Sequence, residues 1–197
     1  MAYSEPMSQL STDGPRRHRL TVADYYRMGE TGILAPDARV ELIDGEIFDV
    51  APPGSLHAGT VNRLTQVLVA AAGNTAVLHV QNPLTLGRYS EPQPDLALLR
   101  YRADFYTSRH PRPTDALLVI EVGYSSVRFD REVKIPLYAG HSIPETWLID
   151  LAARRLTRYR DPQRDAYARV DQPDSSAALE VTALPEIRVD LGTLFRT

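Results

Sequence analysis

Three side chains in this sequence have the types and settings of a centre that hydrolyses phosphodiester bonds. Asp95 follows Pro94 at the start of an apolar stretch, and Glu121 interrupts the apolar run 116–122. Lys134 lies thirteen residues after Glu121 and is the only lysine, because the other 21 of the 22 cationic residues are arginine. The pKa of a lysine can be shifted by its surroundings, whereas a guanidinium stays protonated. Asp, then Glu in a strand, then Lys is typical of metal-dependent phosphodiester cleavage.

The two acids are expected to act through a bound cation, because an acid within an apolar strand costs free energy unless it is paired or binds a cation. If the strands of Asp95 and Glu121 are neighbours, both carboxylates can converge on one ion. Mg²⁺ suits them because it takes one or two carboxylates and keeps waters and phosphate oxygens as its other ligands. Such an ion lowers the pKa of a bound water. Lys134 could then orient or deprotonate that water, or stabilise the transition state.

Each of these residues also has a plain structural interpretation. A strand aspartate is often a turn or edge residue, a strand glutamate is often paired with an arginine, and a helix lysine is usually solvated. The order of the three residues, the apolar setting of both acids and the uniqueness of Lys134 favour the functional interpretation.

The elements that must position these residues form one predicted α/β domain, a mixed sheet flanked by helices. A capped helix is expected over residues 21–28, and Asp-Gly at 44–45 between alternating apolar residues predicts a hairpin over 40–50. Ser55 is expected to cap a helix that Gly73 ends. The expected strands are 76–80, 84–86, 95–100, 117–122, 146–150, 155–159 and 166–170, with a last strand or turn within 187–195.

A helical pattern over residues 130–139 carries Lys134. Pro136 lies inside this pattern, so it should kink the helix or mark its true first turn. The position of Lys134 relative to the two acids therefore depends on how the chain accommodates that proline.

Length and composition limit the class of protein. The 197 residues predict a flexible leader over 1–17 and a single domain over 18–197. The absence of cysteine excludes disulfides, thiolate-bound zinc and a cysteine nucleophile, and it suits a cytoplasmic location. The apolar runs are too short to span a bilayer, so no membrane partner is expected.

The charge balance favours local rather than general contact with nucleic acid. The net charge of −3 argues against a protein that coats nucleic acid indiscriminately, but an active site rich in carboxylates remains possible. Arginine clusters at 16–19, 100–112 and 154–160 are either solvated surface or local phosphate contacts.

A series of short motifs has the order of a known family. The motifs are Val40-Glu-Leu-Ile-Asp-Gly-Glu46, His57, Pro94-Asp95-Leu96, Val119-Ile-Glu-Val122, Asp130 with Lys134-Ile-Pro-Leu-Tyr138, and residues 139–150. From about residue 20 to 195 the chain resembles the putative restriction endonuclease family of the PD-(D/E)XK superfamily. The resemblance implies a restriction-endonuclease-like mixed sheet with flanking helices, an N-terminal helix and a hairpin. It also implies DNA cleavage that depends on Mg²⁺ or Mn²⁺.

The resemblance assigns roles to individual residues. Asp95 and Glu121 match the metal-binding acids, and Glu41 matches an additional acid that completes the metal shell. The superfamily pattern places the lysine two residues after the second acid, where this chain has Gly123. In this family the lysine has moved to the next helix, and Lys134 fits that position. A homodimer is expected by analogy, since cutting two strands requires two sites.

The sequence leaves two interpretations open for each of three further features. His57 either contacts the metal-bound water or the scissile phosphate, or it packs against the hairpin. Asp130, four residues before Lys134, either caps the helix or orients the ammonium. Residues 124–126, which follow the strand of Glu121, either hold a phosphate or form a turn.

Two other functions also fit the sequence, because a fold alone does not determine activity. One is a nuclease-fold module that binds nucleic acid or protein without meaningful turnover, which the modest negative charge and the lack of a DNA-reading appendage favour. The other is a metal-dependent hydrolase that acts on a smaller phosphoester.

Overall fold

A six-stranded mixed sheet forms the centre of the protein in the computed structural model, which describes residues 14–174 and 176–195. Of the expected leader, residues 1–17, the first thirteen residues lie outside the described part of the chain. The helices are α1 Val22–Glu30, α2 Ser55–Ala72, α3 Val127–Phe129, α4 Ile135–Gly140 and α5 Leu191–Leu194, with a 3₁₀ turn at Pro113–Asp115 and a π-helical turn at Asp130–Lys134. The strands are β1 Val40–Ile43, β2 Glu46–Asp49, β3 Ala76–Val80, β4 Leu96–Arg100, β5 Ala116–Gly123, β6 Glu145–Asp150, β7 Arg155–Gln163, β8 Ala166–Asp171, β9 Ala178–Val181 and β10 Leu184–Asp190.

The central sheet has the strand order β3-β4-β5-β6-β7-β8. Strands β5 and β6 run parallel, and the other neighbours are antiparallel. The pairs β1-β2 and β9-β10 form separate two-stranded sheets. The predicted α/β class, a mixed sheet flanked by helices with an N-terminal helix and hairpin, is therefore confirmed.

The two faces of the sheet are covered by different elements. Helix α2 packs on one face, where alternate β5 residues such as Leu118 and Ile120 join its apolar side in one buried cluster. The side chain of Val119 points to the other face of the sheet, where it lies in a second cluster with Tyr138 of α4. Because side chains alternate across a strand, Glu121 shares the face of Val119 and lies under the α3–α4 helical segment.

The N-terminal hairpin forms as the sequence predicts. Asp44 and Gly45 both have positive φ, at 51° and 82°, which a two-residue type I′ turn requires. All four residues of β1 are buried, including Glu41. A carboxylate in that strand therefore needs a partner within the protein.

Several expectations about local structure were wrong. Ser55 is the first residue of α2 rather than its cap, because Gly54 occupies the N-cap position. Residues 84–86 do not form a strand, since the N–H groups of Leu84 and Leu86 donate locally to the carbonyls of Pro92 and Ser90. Helix α1 continues past the expected end at residue 28 to Glu30, and β9 had no clear sequence signal.

The helical segment 127–140 resolves the question of Pro136. It begins with α3, continues through the π-helical turn and ends with α4, in which Pro136 occupies the first turn. A proline is tolerated there because its missing N–H is not needed at that position. Asp130 lies within this continuous segment, so its interpretation as an N-cap was wrong.

None of the helices in the described part of the chain combines the length and apolar content that a membrane crossing requires.

Candidate active site

The strand register brings Asp95 and Glu121 together. Strands β4 and β5 are antiparallel with Leu96 opposite Ile120, and continuation of this register places Asp95, the residue directly before β4, opposite Glu121. Side chains in such a pair are about 5 Å apart at Cβ and lie on the same face. The N–H of Val122 donates to Asp95 Oδ2 at 2.9 Å, which fixes the aspartate against β5.

Lys134 connects this pair to the hairpin. Its Nζ lies 3.0 Å from Glu41 Oε2 and 3.3 Å from Glu121 Oε1. All three side chains are buried. The structure thus brings Glu41, Asp95, Glu121 and Lys134, from four separate segments, into one cluster.

The helical segment 127–140 presents polar side chains at every fourth position. Asp130, Lys134 and Tyr138 follow this spacing, and all three are buried. Ser126 Oγ donates to Asp130 Oδ2 at 2.8 Å, and the Tyr138 hydroxyl donates to Glu121 Oε1 at 2.5 Å. The sequence reasoning missed Tyr138 as a site residue, although its spacing from Lys134 was visible.

His57 reaches the site from the first turn of α2. Its Nε2 lies 3.1 Å from both carboxylate oxygens of Asp95. Gln81 Nε2 donates to Asp95 Oδ1, also at 3.1 Å. His57 is therefore a partner of a site acid, an arrangement that neither sequence alternative described. Gln81 was also missed, and its sequence neighbours give no signal for this contact.

Burial and mutual repulsion raise the pKa of two carboxyl groups of the site, Glu121 and Asp130. Burial raises the pKa of Glu121 well above its ordinary value; Lys134 opposes this shift, and the nearby carboxylates reinforce it. Burial likewise raises the pKa of Asp130, against the effect of Lys134. One ammonium does not fully compensate these carboxylates.

The same surroundings favour the charged form of Lys134. Burial alone would lower its pKa, but Glu121, Glu41 and then Asp130 outweigh that effect, so the pKa of Lys134 is raised above its ordinary value. The side chain is therefore an ammonium at neutral pH.

Asp95 and His57 stabilise each other's charged forms. Burial would raise the pKa of Asp95, but hydrogen bonds from His57, the Val122 N–H and Gln81 lower it. The hydrogen bond to Asp95 raises the pKa of His57, and burial only partly offsets this. The surroundings of Asp95 thus favour its ionised form, whereas those of Glu121 and Asp130 favour the protonated form.

Gly123, where the superfamily pattern would place the lysine, lies in a crowded position. A Cβ on Gly123 would lie 2.7 Å from Val127 Cγ2, 3.0 Å from the Val127 nitrogen and 3.1 Å from Asp130 Oδ2. Real Cβ contacts are essentially never as short as 2.7 Å, and 3.0–3.1 Å is tight, so a side chain there would require Val127 and Asp130 to shift. Residues 124–126 form the bend that leads into α3, as the turn interpretation expected.

The donor set has the chemistry of a site for a hard cation. Glu41, Asp95 and Glu121 are all oxygen donors, which Mg²⁺ and Mn²⁺ prefer. The raised pKa of Glu121 reflects buried negative charge that a divalent ion would offset. Within residues 14–174 and 176–195, no three His, Asp or Glu side chains already lie where they could hold one ion together. In the structure Lys134 contacts Glu41 and Glu121 instead.

The chain is similar to proteins that are described as nucleases. The model of the Uma2 family, described as a putative restriction endonuclease, matches residues 22–192. Among solved structures, a putative nuclease belonging to DUF820 from Anabaena variabilis matches with a TM-score of 0.69 and 18% identity, over 89% of this chain and 97% of that chain. No curated protein matches. At that identity the structural similarity shows a shared fold, which agrees with the restriction-endonuclease-like sheet that the sequence predicts.

Proposed function

This chain belongs to the Uma2 family of putative restriction endonucleases, and from that membership we propose that it is a divalent-metal-dependent endonuclease that hydrolyses DNA phosphodiester bonds. The observation that carries the proposal is the convergence of Glu41, Asp95, Glu121 and Lys134 in one cluster, in which Asp95 is partly buried and the other three are buried. Buried carboxylates and a buried ammonium are costly to fold around, so a cluster of four is better explained by chemistry than by stability.

The proposed ligands of Mg²⁺ or Mn²⁺ are Asp95, Glu121 and Glu41. A divalent ion held there would activate a water and offset the charge that develops on the phosphoryl oxygens. His57 and Gln81 hold the carboxylate of Asp95 in one orientation. Asp95 is ready to accept a cation because its hydrogen-bond donors favour the ionised form.

The proposed role of Lys134 is electrostatic. A general base must be able to lose its proton near the working pH, and the raised pKa of Lys134 keeps it protonated. An ammonium can instead orient the attacking water or stabilise the negative charge of the transition state. Of the roles that the sequence left open for Lys134, we therefore favour these two over deprotonation of the water.

Asp130 has a supporting role in this proposal. Its charge acts on Lys134, and Ser126 fixes one of its oxygens. It would thus help to hold the ammonium in place without contacting the substrate.

One observation favours a second candidate function, a nuclease-fold interaction module that is weak or inactive as a catalyst. Lys134 is ion-paired with both Glu41 and Glu121, so a cation that used these two acids would have to compete with the ammonium. If the ammonium is never displaced, the protein retains the fold without turnover.

A homodimer is part of the proposed function, since cleavage of both DNA strands needs two sites. The proposed location is the cytoplasm. A chain without cysteine forms no disulfide bonds, so it does not need an oxidising compartment. Linear product that appears together with nicked circles would support paired sites, and nicked circles alone would support monomers.

The test is cleavage of supercoiled plasmid with Mg²⁺ or Mn²⁺, with EDTA as the metal-free reference. Wild type is compared with Glu121→Ala and with Glu132→Ala, a matched control because Glu132 lies on the exposed side of the helical segment that carries Lys134. We expect metal-dependent nicking by wild type and Glu132→Ala and none by Glu121→Ala. Cleavage by Glu121→Ala at the wild-type rate would exclude this site. Absence of cleavage by wild type on DNA and RNA would favour the interaction module.

A further inference from the structure

Tyr138 is a fully buried tyrosine whose ring and hydroxyl have different surroundings. The ring lies in an apolar cluster with Val119, Ile143 and neighbouring side chains, which fixes its position. The hydroxyl leaves this cluster and donates to Glu121 Oε1 at 2.5 Å. An anchored ring therefore delivers one neutral hydrogen-bond donor to a proposed metal ligand.

Among the described residues, the hydrogen bond to Glu121 and the closest approach of Lys134 both fall on one oxygen. Oε1 accepts from Tyr138 and faces the Lys134 ammonium at 3.3 Å. Among the residues that the structure describes, no hydrogen bond is donated to Oε2. A carboxylate has about four lone-pair sites over its two oxygens, so Oε2 retains its capacity to bind.

We propose that Tyr138 is a positioning residue, which fixes the carboxylate of Glu121 through Oε1 and keeps Oε2 available to a divalent cation. The inference rests on the proposed function, because it takes Glu121 as a ligand. The two donors on Oε1 differ in one decisive way. The ammonium of Lys134 repels an arriving cation, whereas the phenol is neutral and can stay in place while the ion binds.

The test measures binding of MnCl₂ alone, without DNA, by isothermal titration calorimetry. The variant Tyr138→Phe keeps the ring and removes only the hydroxyl. Tyr167→Phe is a matched control, because Tyr167 is also buried and its hydroxyl contacts Thr146 Oγ1 and the Ile143 carbonyl, away from Glu121. Residues that orient a metal ligand typically contribute about 10- to 100-fold in affinity. We expect a loss of that size for Tyr138→Phe and unchanged affinity for Tyr167→Phe.

The outcomes separate this inference from the proposed function. Equal Mn²⁺ affinity in wild type and Tyr138→Phe would overturn the positioning role and leave the nuclease proposal intact. An equal loss in both tyrosine variants would also overturn it, because the effect would then follow from general loosening. Failure of wild type to bind Mn²⁺ would overturn both proposals.

A crystal structure of the wild-type protein grown with MnCl₂ tests the inference without any variant. We expect manganese on Glu121 Oε2 and the Tyr138 hydroxyl still on Oε1. Manganese on Oε1, or a Tyr138 hydroxyl turned away from Glu121, would contradict the proposal.

Discussion

The ammonium of Lys134 lies 3.0 Å from Glu41 Oε2, so the only lysine of the chain is paired with an acid 93 positions away in the sequence. This ion pair joins the N-terminal hairpin to the helical segment over the central sheet. It also brings together the two residues that the resemblance assigned as the additional acid, Glu41, and the relocated lysine, Lys134. Neither residue has solvent as an alternative partner, because both are buried.

Removal of the ammonium should destabilise the protein strongly. Lys134→Met leaves Glu41 and Glu121 buried without their cation, and the loss of one partner of a buried ion pair typically costs about 3–5 kcal/mol. We expect a decrease of this order in the free energy of unfolding near neutral pH, measured by urea denaturation. The decrease should shrink in acid, where the carboxylates take up protons in place of the lost charge.

The control for Lys134→Met is Arg128→Met, which removes a cation from the exposed side of the same helical segment. Exposed ion pairs contribute little, so its stability should stay close to that of wild type. Equal effects of the two substitutions would show that Lys134 does not neutralise the buried acids.

The raised pKa of Glu121 should make stability depend on pH. Between the unfolded pKa near 4.5 and the higher native pKa, the native state holds a proton that the unfolded state releases. Stability therefore falls as pH rises through this window. Glu121→Gln removes the titrating group and keeps an oxygen that can accept from Tyr138. Its stability relative to wild type should increase from about pH 5 to about pH 8, measured by urea denaturation across this range.

Glu132→Gln is the reference for this measurement, because Glu132 is exposed and paired with Arg128. Its pH dependence should follow that of wild type. If Glu121→Gln loses stability relative to wild type as pH rises, Glu121 is ionised at little cost in the native state, and the electrostatic account of the site is wrong.

A side chain at Gly123 should destabilise the protein, even though the superfamily pattern would place the lysine there. Gly123→Ala adds a Cβ 2.7 Å from Val127 Cγ2, and overpacking of this kind typically costs about 1–3 kcal/mol. The double variant with Gly123→Lys and Lys134→Met should therefore fail to recover cleavage. Recovery of cleavage by that double variant would show that the site accepts a lysine from either position.

The sequence was sufficient to predict the acids of the sheet. Glu121 stands in an apolar strand and Asp95 directly precedes another, and the register of two adjacent strands follows from which face is buried. Lys134 was recognisable because it is unique in composition. Local chemistry therefore predicted the strands that carry or adjoin these acids and which residue types would meet.

The remaining parts of the site depend on contacts that local patterns do not encode. A tyrosine at a helical spacing is usually a core residue, and nothing nearby in the sequence indicates that the hydroxyl of Tyr138 points at Glu121. Gln81 reaches Asp95 from a position with φ of 51° directly after β3, a conformation that non-glycine residues seldom adopt. The segment 84–86 alternates like a strand, but the N–H groups of Leu84 and Leu86 pair within the loop that precedes Asp95, and that of Thr85 donates to the carbonyl of Pro111.

The most direct test of the central claim asks whether Glu121 and Lys134 act as one centre. Initial rates of plasmid nicking with Mg²⁺ are measured for wild type, Glu121→Ala, Lys134→Ala and the double variant, each shown to be folded by circular dichroism. Residues that act as a unit are strongly non-additive, so we predict that either single substitution abolishes nicking and that the double variant is no slower than the singles. Single effects that are partial and multiply in the double variant, or metal-dependent nicking that survives in it, would contradict the account.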